Sequence, residues 1–416
     1  MKKTPYDWIG LLLLLAAVAL LAPYLSHLLA WSYEEGHLPL KPRYYNLALG
    51  GLVTLLVLLR RPAFSLLSLG FLLAPALRVL DAAVLRRFIM LGVVDDHATF
   101  VLNLLSNLLI SLCAILCLTD RRGFQVAQAV AMATILMVAG GIYGEALGFS
   151  TMTTDPGRMA GFLGDPNAGP IVICLMLGVL FTLQRRFWLN LALVAIVAPA
   201  VALTSSRSGM AVFALLVLAY LARNFLRHAM ALALIVGLGV PAAIVGLASM
   251  PSTLKQLGPR DTKVESRLQA IYEQDLVHQG AREQGNDLED SWEAVMHRPL
   301  FGYGTGSATA HGQPSNAVVS LWLELGAGGV LLYLGPLLLL SCQCLFNRGR
   351  GFFCLAPVWL FIPCSQMLLD MPAYWLTVAT CCHLAAAQRF RFTLLPRGPR
   401  AGHLGQVVPA HSYSSP

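Results

Sequence analysis

Residues 168–209 read AGPIVICLMLGVLFTLQRRFWLNLALVAIVAPAVALTSSRSG, and this stretch sets the fold class. Two apolar runs, 167–183 and 187–204, flank the basic pair Arg185 and Arg186, and the second run ends in a polar segment around Arg207. Each run is long enough to cross a hydrocarbon core about 30 Å thick. The stretch therefore predicts two membrane-spanning helices joined by a short basic loop.

The same pattern recurs along the chain, which is 57% hydrophobic and only 12% charged. Soluble proteins carry about twice that charged fraction, so a soluble fold is excluded. The sequence predicts an all-α, polytopic bundle of about twelve transmembrane helices. The predicted spans are 8–30, 44–59, 63–80, 99–118, 124–148, 167–183, 187–204, 209–222, 229–250, 316–343, 352–369 and 373–388.

Charge at the short loops predicts the orientation. Basic residues cluster at every second boundary, whereas all acidic residues except Asp7 and Asp120 lie at the opposite boundaries or beyond them. Because Lys and Arg mark cytoplasmic loops, both termini are expected in the cytoplasm. The basic boundary residues are Lys2, Lys3, Arg60, Arg61, Arg121, Arg122, Arg185, Arg186, Arg223, Arg227, Arg348 and Arg350, followed by Arg389, Arg391, Arg397 and Arg400 in the tail.

One break in composition divides the chain. Residues 1–250 are expected to hold helices 1–9, residues 251–315 a large outer loop, residues 316–390 helices 10–12, and residues 391–416 a disordered cytoplasmic tail. Within the loop, apolar residues at helical spacing over 264–276 predict an amphipathic helix. A second short helix is predicted over 288–296, followed by a glycine-alternating turn at 301–306 that is either flexible or tightly bent.

Several functional classes find little support. The net charge of +8 comes from scattered basic pairs, without the basic stripe of a nucleic-acid binder, so no nucleic-acid partner is expected. Asp95, Asp96 and His97 are consecutive, which is poor geometry for a hard cation, and no metal site or cofactor is predicted. The Gly302-x-Gly304-x-Gly306 pattern lacks the preceding strand of a nucleotide-binding loop.

Arginines on the outer side run against the topology rule and are candidate ligand-binding residues. Arg207 lies among small hydroxyl residues and glycine, and its five donors suit phosphate. The alternative is an arginine that extends to lipid headgroups. Arg267 borders the apolar face of the predicted loop helix, where it could reach back over the membrane. The alternative is an ordinary solvated charge on that helix. Arg158 opens a Gly- and Pro-rich outer loop that could line the same cavity.

Four further residues at the outer face are candidates. His311 could act as a general base, although a lone loop histidine is more often merely exposed. Ser315 ends the same loop, four residues later. Glu324, about two turns into the tenth span, and Asp370, at the last outer turn, are carboxylates at membrane depth, which usually face a cavity or a partner. Glu324 could equally be a structural partner for an arginine.

The order of these segments resembles the O-antigen ligase and polymerase superfamily of bacterial polysaccharide enzymes. The segment from Arg158 to Asn167 resembles the family's Arg, Gly-Thr-Phe and Pro-Asn segment, and the Ser-Arg-Ser triplet centred on Arg207 resembles its outer Ser-Arg motif. The large loop, from Arg267 through Trp292 and the PLFGYG run at 299–304 to Asn316 and the Glu-x-Gly-x-x-Gly at 324–329, resembles its loop signature.

One position departs from the family. The family carries His-Asn at the end of the loop, and here Ser315 stands before Asn316. In the family that histidine is regarded as the base for the acceptor hydroxyl, and a serine is no strong base at neutral pH unless another group activates it. His311 could take its place. The alternatives are deprotonation by the substrate itself, or a divergent or inactive member.

The resemblance implies a metal-independent glycosyltransferase in the bacterial inner membrane, with its site facing the periplasm. It would move a glycan from an undecaprenyl-diphosphate carrier to lipid A–core oligosaccharide, as a ligase does. The alternative acceptor is another carrier-linked repeat, as for a polymerase. The implied catalytic residues are Arg207, Arg267, His311 and Ser315, and the implied substrate-binding residues are Arg158, Asn167, Asn316, Glu324 and Asp370. A lipid or glycan transporter is a third reading, but no internal repeat is visible.

Overall fold

The computed structural model describes residues 8–59, 63–85, 97–119, 123–149, 158–184, 186–224, 290–310, 316–346, 351–365, 368, 371–385 and 391–393. This part of the chain is a helix bundle, and its helices are numbered here in chain order. They are α1 Trp8–Leu25, α2 Leu28–Glu34, α3 Pro42–Leu59, α4 Leu66–Leu80 with a π-helical turn Asp81–Leu85, α5 His97–Thr119, α6 Gly123–Ala146, α7 Ala168–Leu183, α8 Phe187–Leu203, α9 207–224, α10 290–297, α11 Ser307–Ala310, α12 Ala317–Phe346, α13 Phe352–Phe361 and α14 Pro372–Ala385.

Helix α7 forms the centre of the bundle. Every residue from Ala168 to Phe181 is buried, and the helix packs against α6, α8, α13 and α14. Contact with α13 is close, because a Cβ at Gly178 would lie 2.3 Å from the carbonyl oxygen of Phe353. Small residues allow such close helix approach, which is how helices associate in lipid. An all-apolar helix is stable here because it is covered on all sides.

The outer surface of the bundle is apolar as well. Leucines on many helices are about half exposed or more, among them Leu15, Leu55, Leu73 and Leu331. A soluble protein would not expose so many large apolar side chains, whereas a lipid-facing surface does. The burial pattern therefore agrees with a membrane protein.

The number of spans is smaller than expected within the described residues. Five helices are long and apolar enough to cross a membrane, and a sixth arises if α1 and α2, bent by 66°, count as one broken span. Helices α7, α8 and α13 are apolar but shorter. Eleven of the twelve predicted spans overlap described helices, some only in part (α13 covers 352–361 of the predicted 352–369), while 229–250 lies outside the described residues. The fold class is confirmed, and the count of about twelve is not.

A short antiparallel pair joins two predicted cytoplasmic boundaries. Strand β1, Ala63–Ser65, pairs with β2, Arg391–Thr393, with Phe64 opposite Phe392. The first was expected inside a span, and the second is the start of the tail expected to be disordered. Backbone groups at a helix end need partners, and each strand supplies them for the other. The pairing places both boundaries on one side of the bundle.

Helix α12 is broken near its first third. Gly326 has φ 68° and ψ −167°, which is outside the helical region. The break changes the hydrogen bonds of the backbone: the amide of Ala327 donates to Pro299 O at 2.9 Å instead of to Leu323 O. The carbonyl oxygen of Leu323 accepts from Tyr303 N at 2.6 Å. The carbonyl oxygen of Glu324 accepts from Gly304 N at 2.8 Å.

The break therefore binds the segment 299–304 to α12. This contact joins the PLFGYG run at 299–304 to the Glu-x-Gly-x-x-Gly run at 324–329, both of which resemble the family's loop signature. Gly302, with φ 61°, and Gly326 face each other across this contact. A Cβ at Gly302 would lie 2.5 Å from Leu323 O, and one at Gly326 would lie 2.2 Å from Leu300 O. Only glycine combines this backbone angle with this close approach. The bent glycine turn predicted at 301–306 is confirmed.

We expect Gly326→Ala to destabilise the protein strongly. A backbone with φ 68° and ψ −167° is almost confined to glycine and costs a residue with a Cβ about 1–3 kcal/mol, and the contact with Leu300 adds to this. Gly328→Ala is the matched control, because nothing lies within 4 Å of a Cβ there. Thermal unfolding in detergent, followed by tryptophan fluorescence, should show a lower midpoint for Gly326→Ala alone. Equal midpoints for the two variants would contradict the tight contact.

Candidate functional site

Five of the nine predicted site residues lie in the described part of the chain: Arg158, Asn167, Arg207, Asn316 and Glu324. The other four, Arg267, His311, Ser315 and Asp370, lie outside it, as do the predicted amphipathic helix at 264–276 and the pair Asp95–Asp96. The described residues form two polar clusters at the predicted outer ends of the helices. One contains Arg158, Asn167 and Arg207, and the other contains Glu324.

In the first cluster, Arg158 links two helix ends. Its Nε donates to the carbonyl oxygen of Thr204 at 3.1 Å, and its Nη2 donates to Oδ1 of Asn167 at 2.8 Å. Thr204 follows the last residue of α8, and Asn167 directly precedes α7. The guanidinium is half-buried and fixed in direction by these two acceptors. The sequence predicted Arg158 and Asn167 as site residues, and the structure brings them into contact.

A buried carboxylate holds the loop that carries Arg158. Oε2 of Glu145, on α6, accepts from the backbone amides of Ala160 and Gly161, both at 2.9 Å. Glu145 is only 7% exposed. Gly161 has φ 61°, and a Cβ there would lie 2.7 Å from the amide nitrogen of Ile142. The sequence analysis missed Glu145, although a carboxylate inside the apolar run 124–148 is itself a signal.

Arg207 is the first residue of α9, and its side chain is exposed. The turn before it is tight: Ser205 has φ 52°, and the buried Ser206 accepts from Gly209 N through its Oγ at 3.3 Å. That contact is a serine N-cap, so Ser206 sets the start of the helix. The family-like Ser-Arg pair therefore combines a capping serine with an arginine at the helix N-terminus.

The N-termini of α7 and α9 lie side by side. A Cβ at Gly209 would lie 2.4 Å from Cβ of Pro170, so the third residues of the two helices are in direct contact. Each helix N-terminus carries a partial positive charge, which favours an anion nearby. Arg158 contacts Thr204, which precedes Arg207 by three residues. Two arginines and two helix N-termini thus occupy one region at the predicted outer side.

In the second cluster, Glu324 forms an ion pair with Arg78 of α4. Nε of Arg78 lies 3.0 Å from Oε2 of Glu324, and Oε1 accepts from the amide of Gly306 at 2.9 Å. The two side chains are 14% and 8% exposed. Glu324 is therefore a structural partner for an arginine, as one of the two interpretations of the sequence proposed, and that arginine is Arg78. Arg78 was not singled out from the sequence, although it is a charge inside the apolar run 63–80.

Asp81 extends this cluster into the π-helical turn after α4. Its Oδ2 accepts from the amide of Thr305 at 2.8 Å and from the Thr305 hydroxyl at 2.9 Å. Asp81 is 3% exposed, and the two donors of Thr305 supply its Oδ2 with hydrogen bonds in a place with little access to water. Together with Glu324, it holds residues 305 and 306 against α4 and α12. No local sequence pattern distinguishes Asp81 from the other acidic residues predicted at the outer side.

Asn316 has a capping role. Its Oδ1 accepts from Val318 N at 2.9 Å and from Val319 N at 3.3 Å, which is the N-cap arrangement for α12. The following amide, Ala317 N, donates to Ile362 O at 3.0 Å, so the start of α12 also contacts the end of α13. The amide group of Asn316 is therefore fixed by the helix that it begins.

Among the described residues, no group of three or more His, Cys, Asp or Glu side chains could hold a metal ion. His97, the described member of the Asp-Asp-His run, has its Nε2 2.9 Å from the carbonyl oxygen of Ala82. It thereby ties α5 to the π-helical turn.

We expect the loss of either Arg78 or Glu324 alone to destabilise the protein by more than half as much as the loss of both. Arg78→Met or Glu324→Gln alone leaves one buried charge without its partner, which typically costs about 3–5 kcal/mol. The double variant removes both charges, so its loss should be smaller than the sum by about 1–3 kcal/mol. Chemical unfolding of the four proteins in detergent measures this coupling. Strictly additive losses would show that the ion pair does not couple the two helices.

Residues 192–334 match the family model described as O-antigen ligase. No curated protein matches the chain. The matched region includes Arg207, α10 and the broken part of α12, but not Arg158 or Asn167. The match confirms that the chain resembles the O-antigen ligase superfamily, whose ligases and polymerases are membrane enzymes that act on glycans.

Proposed function

We propose that the chain transfers a glycan from an undecaprenyl-diphosphate carrier to lipid A–core oligosaccharide, at the periplasmic face of the bacterial inner membrane. The observation that carries this proposal is the region where Arg158, Arg207 and the N-termini of α7 and α9 meet. Such a region suits a diphosphate, because guanidinium donors and the partial positive charge of two helix N-termini both favour an anion. The family match supports the same class of enzyme.

The chemistry requires few groups. The acceptor hydroxyl attacks the anomeric carbon as the bond from that carbon to the diphosphate oxygen breaks, so the configuration inverts. The departing diphosphate keeps the bonding electron pair, and the hydroxyl proton goes to a base. The site must therefore stabilise negative charge on the leaving group and accept one proton. Arg207 and Arg158 would do the first, together with Arg267, which lies outside the described residues.

The base is proposed to be His311, because Ser315 occupies the position of the family's histidine. Both residues lie outside the described part of the chain, as does Asp370, which we propose to bind substrate. Asn167 contributes through Arg158, because its Oδ1 accepts a hydrogen bond from Nη2 of that arginine. Asn316 and Glu324 are proposed to act at the edge of the site by fixing the start of α12 and residues 305–306.

A polymerase that uses another carrier-linked repeat as acceptor is the alternative within the same family. Gene deletion and gel analysis of the surface glycans separate the two. A ligase deletion removes all long chains from the lipid A–core, and carrier-linked polymer accumulates. A polymerase deletion leaves a core that bears only one repeat. If deletion changes neither pattern, both activities are excluded, and a lipid or glycan transporter remains to be tested.

We expect Arg207→Ala and Arg158→Ala to abolish glycan transfer at normal membrane expression. Lysine at either position should restore little activity, because a single ammonium cannot reproduce the planar fork of the guanidinium. Arg43→Ala is the matched control, since Arg43 is also predicted at the outer side but lies over the ring of Tyr44 on α3. Transfer is measured by complementation of the deletion strain. Full activity of Arg207→Ala would remove it from the mechanism.

If His311 is the base, His311→Ala should lower the transfer rate roughly 10²–10⁴-fold. The loss should be accompanied by a changed pH–rate profile, since the titrating group itself has been removed. Initial rates over a range of pH, with purified protein and carrier-linked donor, provide this measurement. A variant with an unchanged profile would exclude His311 and leave deprotonation by the substrate as the alternative.

A further inference from the structure

Four large apolar side chains form an exposed surface on the large outer loop. Trp292 is 42% exposed, Met296 58%, Leu300 66% and Phe301 75%. Trp292 and Met296 are four residues apart on α10 and therefore share one face of the helix, and Leu300 and Phe301 follow in the turn after it. These four residues are called the apolar ridge. A contiguous exposed patch of this kind usually marks an interaction surface.

The opposite face of α10 is firmly packed, so the ridge is held in place. Val295, on that face, is buried against Val319 and Leu323 of α12. At the start of the ridge, the half-exposed ring of Trp292 lies 5.7 Å from that of Trp322, edge to face. Trp322 Nε1 also donates to the carbonyl oxygen of Pro299 at 2.7 Å. Exposure of the ridge is therefore a property of the folded loop and does not follow from a loosely packed helix.

The length of α12 gives the level of the ridge. The part that follows Gly326 runs to Phe346, about twenty residues, which by itself spans about 30 Å, the thickness of the hydrocarbon core. Gly326 then lies near the outer edge of that core. Leu300 O contacts this position, since a Cβ at Gly326 would lie 2.2 Å from it. Leu300 and Phe301 are thereby placed at the level where acyl chains meet headgroups.

The polar neighbours of the ridge suit that level. An open cleft of about 460 Å³ is lined by residues 297–302, so His297 and Arg298 border Leu300 and Phe301 directly. Arg298 lies over the ring of Tyr303 at 4.9 Å and is exposed. A cation next to apolar side chains matches a phospholipid, whose phosphate lies directly above its acyl chains. Asp290 and Glu293 lie at the other end of α10, away from the cleft in sequence.

We propose that the apolar ridge inserts into the outer leaflet, with Leu300 and Phe301 among the acyl chains and Arg298 at the phosphates. The segment 290–301 is then an interfacial anchor that sets the height of the large loop above the membrane. Through the contact with Gly326, the anchor also fixes residues 304–306, where the amides of Gly304 and Gly306 donate to Glu324. This inference does not depend on which glycan or acceptor the protein uses.

Site-directed spin labelling of the full chain tests the proposal. Phe301→Cys and Met296→Cys are labelled in vesicles of phosphatidylethanolamine and phosphatidylglycerol, with the exposed Cys342 and Cys364 replaced by serine. Glu293→Cys, exposed on the same helix, is the control. Labels on the ridge should collide several-fold more with oxygen relative to a water-soluble nickel reagent than the control label does. Two ridge positions keep the test valid if one variant fails to fold.

Two outcomes would overturn the proposal. A collision ratio at positions 296 and 301 equal to that at 293 would place the ridge in water. Low collision with both reagents would show that protein covers the ridge, either another segment of this chain or a second copy. Varying the protein-to-lipid ratio separates those two cases, because only a second copy is lost on dilution.

Discussion

The break in α12 at Gly326 is the constraint on which the outer face of this protein depends. A break in a membrane helix frees backbone groups, and each must find a partner within the protein. Here Leu323 O, Glu324 O and Ala327 N are paired with the segment 299–304. The large loop is consequently joined to a membrane helix through main-chain hydrogen bonds, a connection that is largely independent of side-chain identity apart from two glycines.

The two polar clusters hold different loops at the predicted outer side. Glu324 and Asp81 are buried acceptors that fix residues 305 and 306, so the end of the loop is held by charge as well as by backbone. On the other side, Glu145 holds the loop of Arg158 by two amides, which leaves the guanidinium directed at Thr204 and Asn167. In both places a buried carboxylate positions a loop, and in the second cluster Arg78 also neutralises Glu324.

Several of the pairings also relate predicted boundaries to one another. Strands β1 and β2 join two predicted cytoplasmic boundaries, while Asp81 with Thr305 and Arg158 with Thr204 join predicted outer ones. The relative sides of these segments in the fold thus agree with the charge pattern of the loops. The proposed ridge adds a second attachment for the large loop, to lipid instead of to protein.

The sequence by itself determined the helical membrane class and most helix positions, because a run of apolar residues of sufficient length has few other stable states. It also indicated Arg158, Asn167 and Arg207, since charges and small polar residues at an apolar boundary stand out locally. Only the tertiary structure decided that Arg78 pairs with Glu324 and Asp81 with Thr305, contacts that join residues more than two hundred positions apart. Such partners depend on how the helices pack, and no local pattern records that.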